Sequence, residues 1–492
     1  MLRFKPICLC LVLLVSVSQS GCQSLRSKVS ELSVRKDISR QPESIAETQG
    51  PQAAQSQPET GDEVDEIRLV SDEAGGAEHS QAPELGDQTT LNLAMLEGLA
   101  MQHNPAIRQA SASAYKGYGI RDQVGRLPNP TVSYSGQQLK DAGTDQHLLT
   151  FSQDIVTGNK LELNRRVMDQ AIQSQLWQVE TQRQRVLTDV RVQFYEALAA
   201  ERRLRLTKEF EQVALKGVQV AVSRKDGLEG SRPEVLQAEI QLQEVELQQQ
   251  QTDYELQAAW KELVATIGLP DLPMNGIEGA FLEIDQPRDW GAVFDELAAS
   301  SPELKAACAR ISKATANLDR QRVQAIPNLG VGLSVGRDRG TGSDFYQAEV
   351  GVPVPVFNRN QGNIAAAEAE YCRATQDLER LRMSLKARLA RVARDHDSAL
   401  ASVHRYDTQI LPKAKESLQL SEQAYAAAEF NFLQVLVARR TYFESNLKAV
   451  DARRRLSQAD AHVEGLLLTG GLSEATDLSD DDGLRGQALS GQ

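Results

Sequence analysis

The chain has 492 residues, a formal charge of −13 and 5% aromatic residues. Its length admits several domains or a single elongated one. The acidic balance argues against nucleic acid as a partner, because phosphate binding needs a basic face.

Arg3 and Lys5 precede an apolar run from Ile7 to Val17, after which small and polar residues lead to Gly21-Cys22. That run is too short to span a bilayer and has the layout of a secretory signal over residues 1–21. Ser20-Gly21-Cys22 has the form of the end of a bacterial lipobox, although Gln19 stands where a Leu-like residue is usual. Cys22 is therefore the expected lipidation site, with palmitate among its acyl groups, against the plainer reading of an ordinary signal with an incidental cysteine. Residues 22–89 are rich in Ser, Gln, Glu, Pro and Gly without a sustained apolar period. Such a segment is expected to be a disordered tether, and residues 471–492 a disordered acidic tail. Cys8 and Cys10 fall in the signal. Cys308 and Cys372 sit in helical patterns and are expected as buried thiols, so no disulfide framework is implied.

Between these ends the chain reads as a tandem duplication, residues 90–285 and 286–470. In the first half a helix is expected over about 105–126, strands near 131–138 and 147–155, a very long helix over 160–225 and another over 233–267. In the second half the corresponding spans are 302–325, 329–337, 345–354, 361–428 and 433–468. Pro128–Gly136 (PNPTVSYSG) matches Pro327–Gly336 (PNLGVGLSVG), and Ile155 and Lys160 match Val354 and Arg359, all at a shift of about 200 residues. Asn104-Pro105 parallels Ser301-Pro302 at the start of each half's helix. A helix of about 65 residues is roughly 100 Å long, which requires an elongated molecule. Leu187, Val190, Phe194, Ala197 and Leu198 recur at three- and four-residue spacing. A narrow apolar seam with wet flanks suits coiled-coil packing.

The strands alternate. Val132 and Tyr134 alternate with Ser and Thr; Val331, Leu333 and Val335 alternate with Gly and Ser334; Val350 and Val352 follow Gln347 and Glu349. One face suits lipid, and the other, small or polar, suits a water-filled lumen. Four short strands cannot close a barrel alone, but several chains together can. A small soluble sandwich is the competing reading.

With repeat, hairpins and long helices assembled, the chain resembles the outer-membrane factor family, the TolC-like exit ducts of bacterial efflux pumps. The resemblance covers about Leu91 to Gly470 and is carried by the strand-to-helix junctions QDIVTGNKLEL and VPVPVFNRNQGNIAAAEAE. The second junction is most like the heavy-metal branch, as in cobalt–zinc–cadmium and copper–silver efflux. RPEVLQAEIQL (232–242) and FLQVLVARRTYFE (432–444) resemble the family's segments after the periplasmic tips. Where the family often has Tyr-x-x-Gly at a tip, this chain has Tyr425 and Ala428. The resemblance implies a mainly α fold with a small β part. It further implies a homotrimer closing a twelve-stranded outer-membrane barrel, continuous with a periplasmic helical barrel. A periplasmic adaptor protein and an inner-membrane RND-type pump are the implied partners, and transport through the duct would be passive. It also places a gate at the helical tips, although the family's aspartates are not reproduced there. In this chain Glu429, with Glu422, is the expected acidic ring and Arg224 and Arg232 its expected partners across helices, against the plainer reading of solvated ends of long helices.

Other signals weigh less. Gly330-x-Gly332-x-x-x-Gly336 has the wrong spacing for a dinucleotide loop, and no helix follows. Asp395-His396-Asp397 and His404 read as a solvated helix face, the two His being about two turns apart. HExxH, paired CxxC, a Walker loop and a nucleophile elbow are all absent from the sequence. No catalytic residue, cofactor or resident metal is therefore expected. An efflux duct, a type I protein-secretion duct and a lipid-anchored coiled-coil tether without a pore remain as function classes.

Overall fold

A computed structural model describes residues 91–139, 143–228, 230–274, 276–284, 286–427, 429, 432–474 and 477. The expected signal, the lipidation site Cys22, the tether and most of the acidic tail lie outside these residues. The described part is mainly helical with one small sheet.

Two helices, not one, precede each hairpin. In the first half these are α1 (Leu93–His103) and α2 (Pro105–Val124). Asn104 divides them: its backbone is extended, its Oδ1 accepts from the amides of Ala106 and Ile107, and Pro105 follows at N1. Its Nδ2 donates to the Thr266 carbonyl at 2.6 Å, which ties the break to the end of a distant helix. The second half repeats the device with α5 (Trp290–Ser300), Ser301 as cap and α6 (Pro302–Val323). The short helices α1 and α5 escaped the sequence reading because their apolar patterns cover only three turns.

The hairpins β1 (Thr131–Gln137), β2 (Gln146–Ile155), β3 (Leu329–Asp338) and β4 (Ser343–Gly351) form one antiparallel sheet in the order β1-β2-β3-β4. The last strand was expected to run to Val354 but stops at Gly351. Pro353 and Pro355 follow and cannot donate to a ladder.

Each strand pair feeds long helices. These are α3 (Lys160–Asp226, 67 residues), α4 (Arg232–Ile267), α7 (Gln361–Arg405), α8 (Leu411–Ala426) and α9 (Phe432–Glu464). At 1.5 Å per residue α3 is about 100 Å long. Its counterpart is interrupted by a five-residue π-turn, Tyr406–Ile410, in which the Leu411 amide reaches back to the Tyr406 carbonyl. Pro412 is the cause: without an N–H, and with a ring that would strike the Thr408 carbonyl, it needs a wider turn. Arg453 on α9 grips Asp407 in that turn at 2.6 Å.

Both long helices begin at an Asn in the left-handed region, Asn159 (φ 56°) and Asn360 (φ 62°). These two are 201 residues apart, so Lys160 is the structural counterpart of Gln361 rather than of Arg359. The hairpins match at a shift of 199, so the second half has two more residues between hairpin and long helix than the first.

The largest core gathers α1, the middle of α3 and the end of α4. Leu96, Val186, Val190, Phe194, Leu198, Leu263 and Ile267 are all at most 2% exposed there. Leu187, expected in this seam, is only half-buried; Val186 takes its place. Gly268, at φ 91°, closes α4 beside the α1–α2 break, where a Cβ would stand 2.6 Å from the His103 carbonyl oxygen. Each large apolar side chain buried there contributes about 1.5–3 kcal/mol. Cys308 on α6 and Cys372 on α7 are exposed thiols outside any disulfide, where burial was expected. Both residues fall outside the buried faces of their helices.

Candidate functional site

Three places carry the residues singled out from the sequence: the faces of the sheet, the ground beneath it, and the helical tips.

Directly opposed residues of an antiparallel pair share a face, so the registers define rows across the sheet. One row is Tyr134, Leu149, Val335 and Tyr346; the next is Val132, Phe151, Leu333 and Ala348; a third holds Gln153, Val331 and Val350. The opposite face carries Ser133, Thr150, Ser334 and Gln347, then Thr131, Ser152, Gly332 and Glu349. The Thr150 and Ser334 hydroxyls bond across strands at 2.8 Å on that face. The apolar rows are largely solvent-facing in the single chain: Tyr346 is 84% exposed and Leu333 58%. Val352 lies just past β4. Toward the hairpin ends the apolar face gives way to polar contacts. There Tyr134 Oη meets His147 Nδ1 at 2.6 Å, and His147 Nε2 meets Asp145 Oδ2 at 2.8 Å. Sequence reading found β1, β3 and β4 on this face. It did not place Leu149 and Phe151, since QHLLTFSQDI breaks strict alternation with Leu148.

Beneath the sheet, the α3 start and the α6 end bury two cations, Lys160 and Arg320, at 2% and 0% exposure. Lys160 Nζ donates to Asn328 Oδ1 at 2.6 Å, and Arg320 donates to Asn164 Oδ1 at 2.5 Å and Gln324 Oε1 at 2.6 Å. Burial pulls the Arg320 pKa down to about 10, and burial followed by the Arg320 charge lowers that of Lys160. Asn360 completes this layer by donating to Gln321.

At the tips, α3 turns into α4 and α8 into α9. Arg224 lies 4.6 Å over the Tyr425 ring, and Tyr425 leans on Phe432. Glu422, expected to face Arg224 or Arg232, is instead held by Arg439 of α9 at 2.9 Å. Arg439 is well placed because Gly217 leaves room for its guanidinium 3.2 Å from where a Cβ would be. Arg232 and Glu429 are exposed and form no ion pair with each other among the described residues.

The solvated-face reading of Asp395-His396-Asp397 fails at its centre. Asp395, Asp397 and His404 are exposed, but His396 is fully buried, edge-on to Trp290 at 5.2 Å, with Nδ1 3.2 Å from Asp397. Trp290 Nε1 donates to the same carboxylate, so the trio pins α5 to α7. Among the described residues no group of three or more His, Cys, Asp or Glu is placed to hold a metal ion. Nor is any described helix long and apolar enough to cross a membrane.

A sheet with one apolar and one polar face, joined end-on to helices about 100 Å long, is the layout of a membrane channel with an extramembrane stem. Residues 293–467 match the family model described as outer membrane efflux protein. The cobalt-zinc-cadmium resistance protein CzcC of Cupriavidus metallidurans is 25% identical over 283 residues, covering 57% of this chain and 68% of that protein. The pyoverdine export outer membrane protein OpmQ of Pseudomonas putida is 28% identical over 292 residues, covering 56% and 60%. Among solved structures, the outer-membrane channel OprN superposes with a TM-score of 0.65 at 15% identity, covering 77% of this chain and 91% of that one. The chain resembles the outer membrane efflux proteins, as its strand-to-helix junctions led us to expect. These are passive channels of the outer membrane and not enzymes.

The tip geometry yields one expectation. Replacing Arg439 by Ala removes the tie between α8 and α9, worth about 1 kcal/mol for a half-buried pair. Amide hydrogen exchange over residues 418–440 should then quicken about fivefold, with residues 186–198 unchanged. Equal protection of both regions in the variant and the parent would show that the tie is inert.

Proposed function

We propose that the protein is the outer-membrane exit duct of a tripartite efflux pump, and that three copies join their sheets into one twelve-stranded barrel. The observation that carries this reading is the row structure of the sheet, apolar on one face and, apart from Leu148 and Phe345 beside Gly336, small or polar on the other. In this reading Val132, Tyr134, Val331, Leu333, Val335, Val350 and Val352 face lipid, while Ser334, Gln347 and Glu349 face the lumen. The long helices form the periplasmic stem. Its tips meet an adaptor protein, and an inner-membrane pump supplies the energy.

Heavy-metal cations are the proposed cargo. Support comes from the likeness to CzcC and from the junction VPVPVFNRNQG, while the likeness to OpmQ favours a second reading in which a pyoverdine-like molecule is exported. Deleting the gene should raise sensitivity to cobalt, zinc or cadmium, and the intact gene should restore resistance. Unchanged metal sensitivity with loss of a pyoverdine-like product from the medium would move the assignment to the second reading.

Lipidation at Cys22 is proposed to help hold the chain at the outer membrane. Labelled palmitate should enter the parent chain and not Cys22→Ala. Equal labelling of the two would remove the anchor from the proposal.

The strand faces can be tested by a matched pair of substitutions. Leu333→Arg puts a charge on the apolar face and should cost about 2–4 kcal/mol near the bilayer midplane, lowering the amount of inserted protein. Ser334→Arg, one residue on but on the other face, should insert normally and reduce conductance in planar bilayers. Equal loss of insertion in both would sink the assignment.

A further inference from the structure

We propose that the cavity where the second hairpin meets α7 is a binding site for the phosphate group of an anionic glycerophospholipid, held by Lys160 and Arg359. This rests on the outer-membrane reading above, which sets the cavity at the level of the lipid headgroups.

The cavity has a volume of about 370 Å3, at the small end of the usual range for ligand sites. Its walls come from the start of α3, the turn from α6 into β3, and the stretch 353–358 that leads from β4 to α7. Pro353 and Pro355 restrict the backbone of that stretch, so this wall is stiff without a ligand.

One side of the cavity is polar and built around a cation. Lys160, Asn328, Asn358 and Asn360 all contribute to it. Lys160 is 2% exposed, and among the described residues its ammonium has a single acceptor, Asn328 Oδ1 at 2.6 Å. An ammonium has three N–H groups to give. Lys160 forms no ion pair among the described residues, and the charge that acts on it is the like charge of Arg320. Burying a cation without a counter-ion is costly, and a second cation nearby adds to the cost. An anion in the cavity would supply the missing charge and accept the remaining N–H groups.

The helices reinforce this preference. Lys160 is the first residue of α3 and Asn360 the N-cap of α7, and neither capping Asn makes a side-chain cap bond. The positive ends of two helix dipoles therefore stand at the wall of one cavity. Arg359, between the lining residues Asn358 and Asn360, is exposed and forms no ion pair among the described residues. Its guanidinium is of the kind that grips a phosphate with two parallel N–H bonds.

The other side is apolar. Val354, Val356 and Phe357 are 77%, 59% and 92% exposed in the single chain, and Ile326 46%. Val354 and Val356 continue the two-residue spacing of Val350 and Val352. Inorganic phosphate would gain nothing from these side chains, whereas the glycerol and acyl chains of a phospholipid would cover them. A zwitterionic headgroup would bring its own cation towards Lys160 and Arg359, so a net negative headgroup is favoured.

The test uses the full chain reconstituted in phosphatidylcholine vesicles with a trace of photoactivatable phosphatidylglycerol. After irradiation and digestion, label should concentrate on residues 353–358, and photoactivatable phosphatidylcholine should label them about fivefold less. Unlabelled phosphatidylglycerol should compete for the site, and inorganic phosphate should not. Lys160→Met, which keeps much of the side-chain volume, should cut labelling about fivefold. Arg359→Gln, at an exposed position, should cut it as well without disturbing the buried layer. Arg394→Gln, about 50 Å further along α7, should label as the parent does. Equal labelling by the two lipids, or parent-like labelling of both Lys160→Met and Arg359→Gln, would overturn the proposal. Competition by inorganic phosphate would overturn the lipid as the source of the anion. Protease protection of residues 329–351 in the vesicles reports insertion separately. A protected chain without lipid preference overturns the site alone, whereas an unprotected parent chain overturns the outer-membrane reading beneath it.

Discussion

The rest of the structure depends on the backbone hydrogen bonds at the two outer edges of the sheet. β2 and β3 are paired on both sides, whereas the outer edges of β1 and β4 meet no strand among the described residues. In water such edges would be solvated. Beside an apolar face such as that of Val132, Leu333 and Val350, set in lipid, each unsatisfied amide or carbonyl would cost several kcal/mol. A four-stranded sheet with this surface is stable in a bilayer only as part of something closed. Each hairpin is joined to a long helix that starts at Asn159 or Asn360, with the buried Lys160, Arg320 and Asn360 fixing the change of geometry.

Much of this was legible in the sequence, for a physical reason. Alternation with period two is visible residue by residue in TVSYS and GVGLSVG, and a helix of more than 60 residues has few rival explanations. The duplication then made each half a check on the other. What escaped reading depends on contacts distant in sequence. The buried state of His396 is decided by Trp290 on another helix, and the capture of Glu422 by Arg439 is decided by the space at Gly217. The exposed thiols of Cys308 and Cys372 were missed for a related reason: helical periodicity locates a stripe but does not say how narrow it is. The π-turn did have a local signal in Pro412, since a proline deep in a helical pattern must end, kink or widen the helix.

Where the two halves differ is as informative as where they agree. The hairpins keep one shift throughout, because every residue of a ladder is fixed by the strand opposite, and a single insertion would turn a face inside out. The junctions and the stem are free of that restriction, and there the halves diverge. The second junction has gained two residues and two prolines, and the second long helix carries a π-turn that the 67-residue α3 lacks. A helix packed on a narrow seam can absorb such a change by bending or by widening one turn, at the cost of about one hydrogen bond. The sheet therefore preserves the duplication while the helices record its divergence. For that reason the duplication is read from the register of the strands rather than from the packing of the long helices.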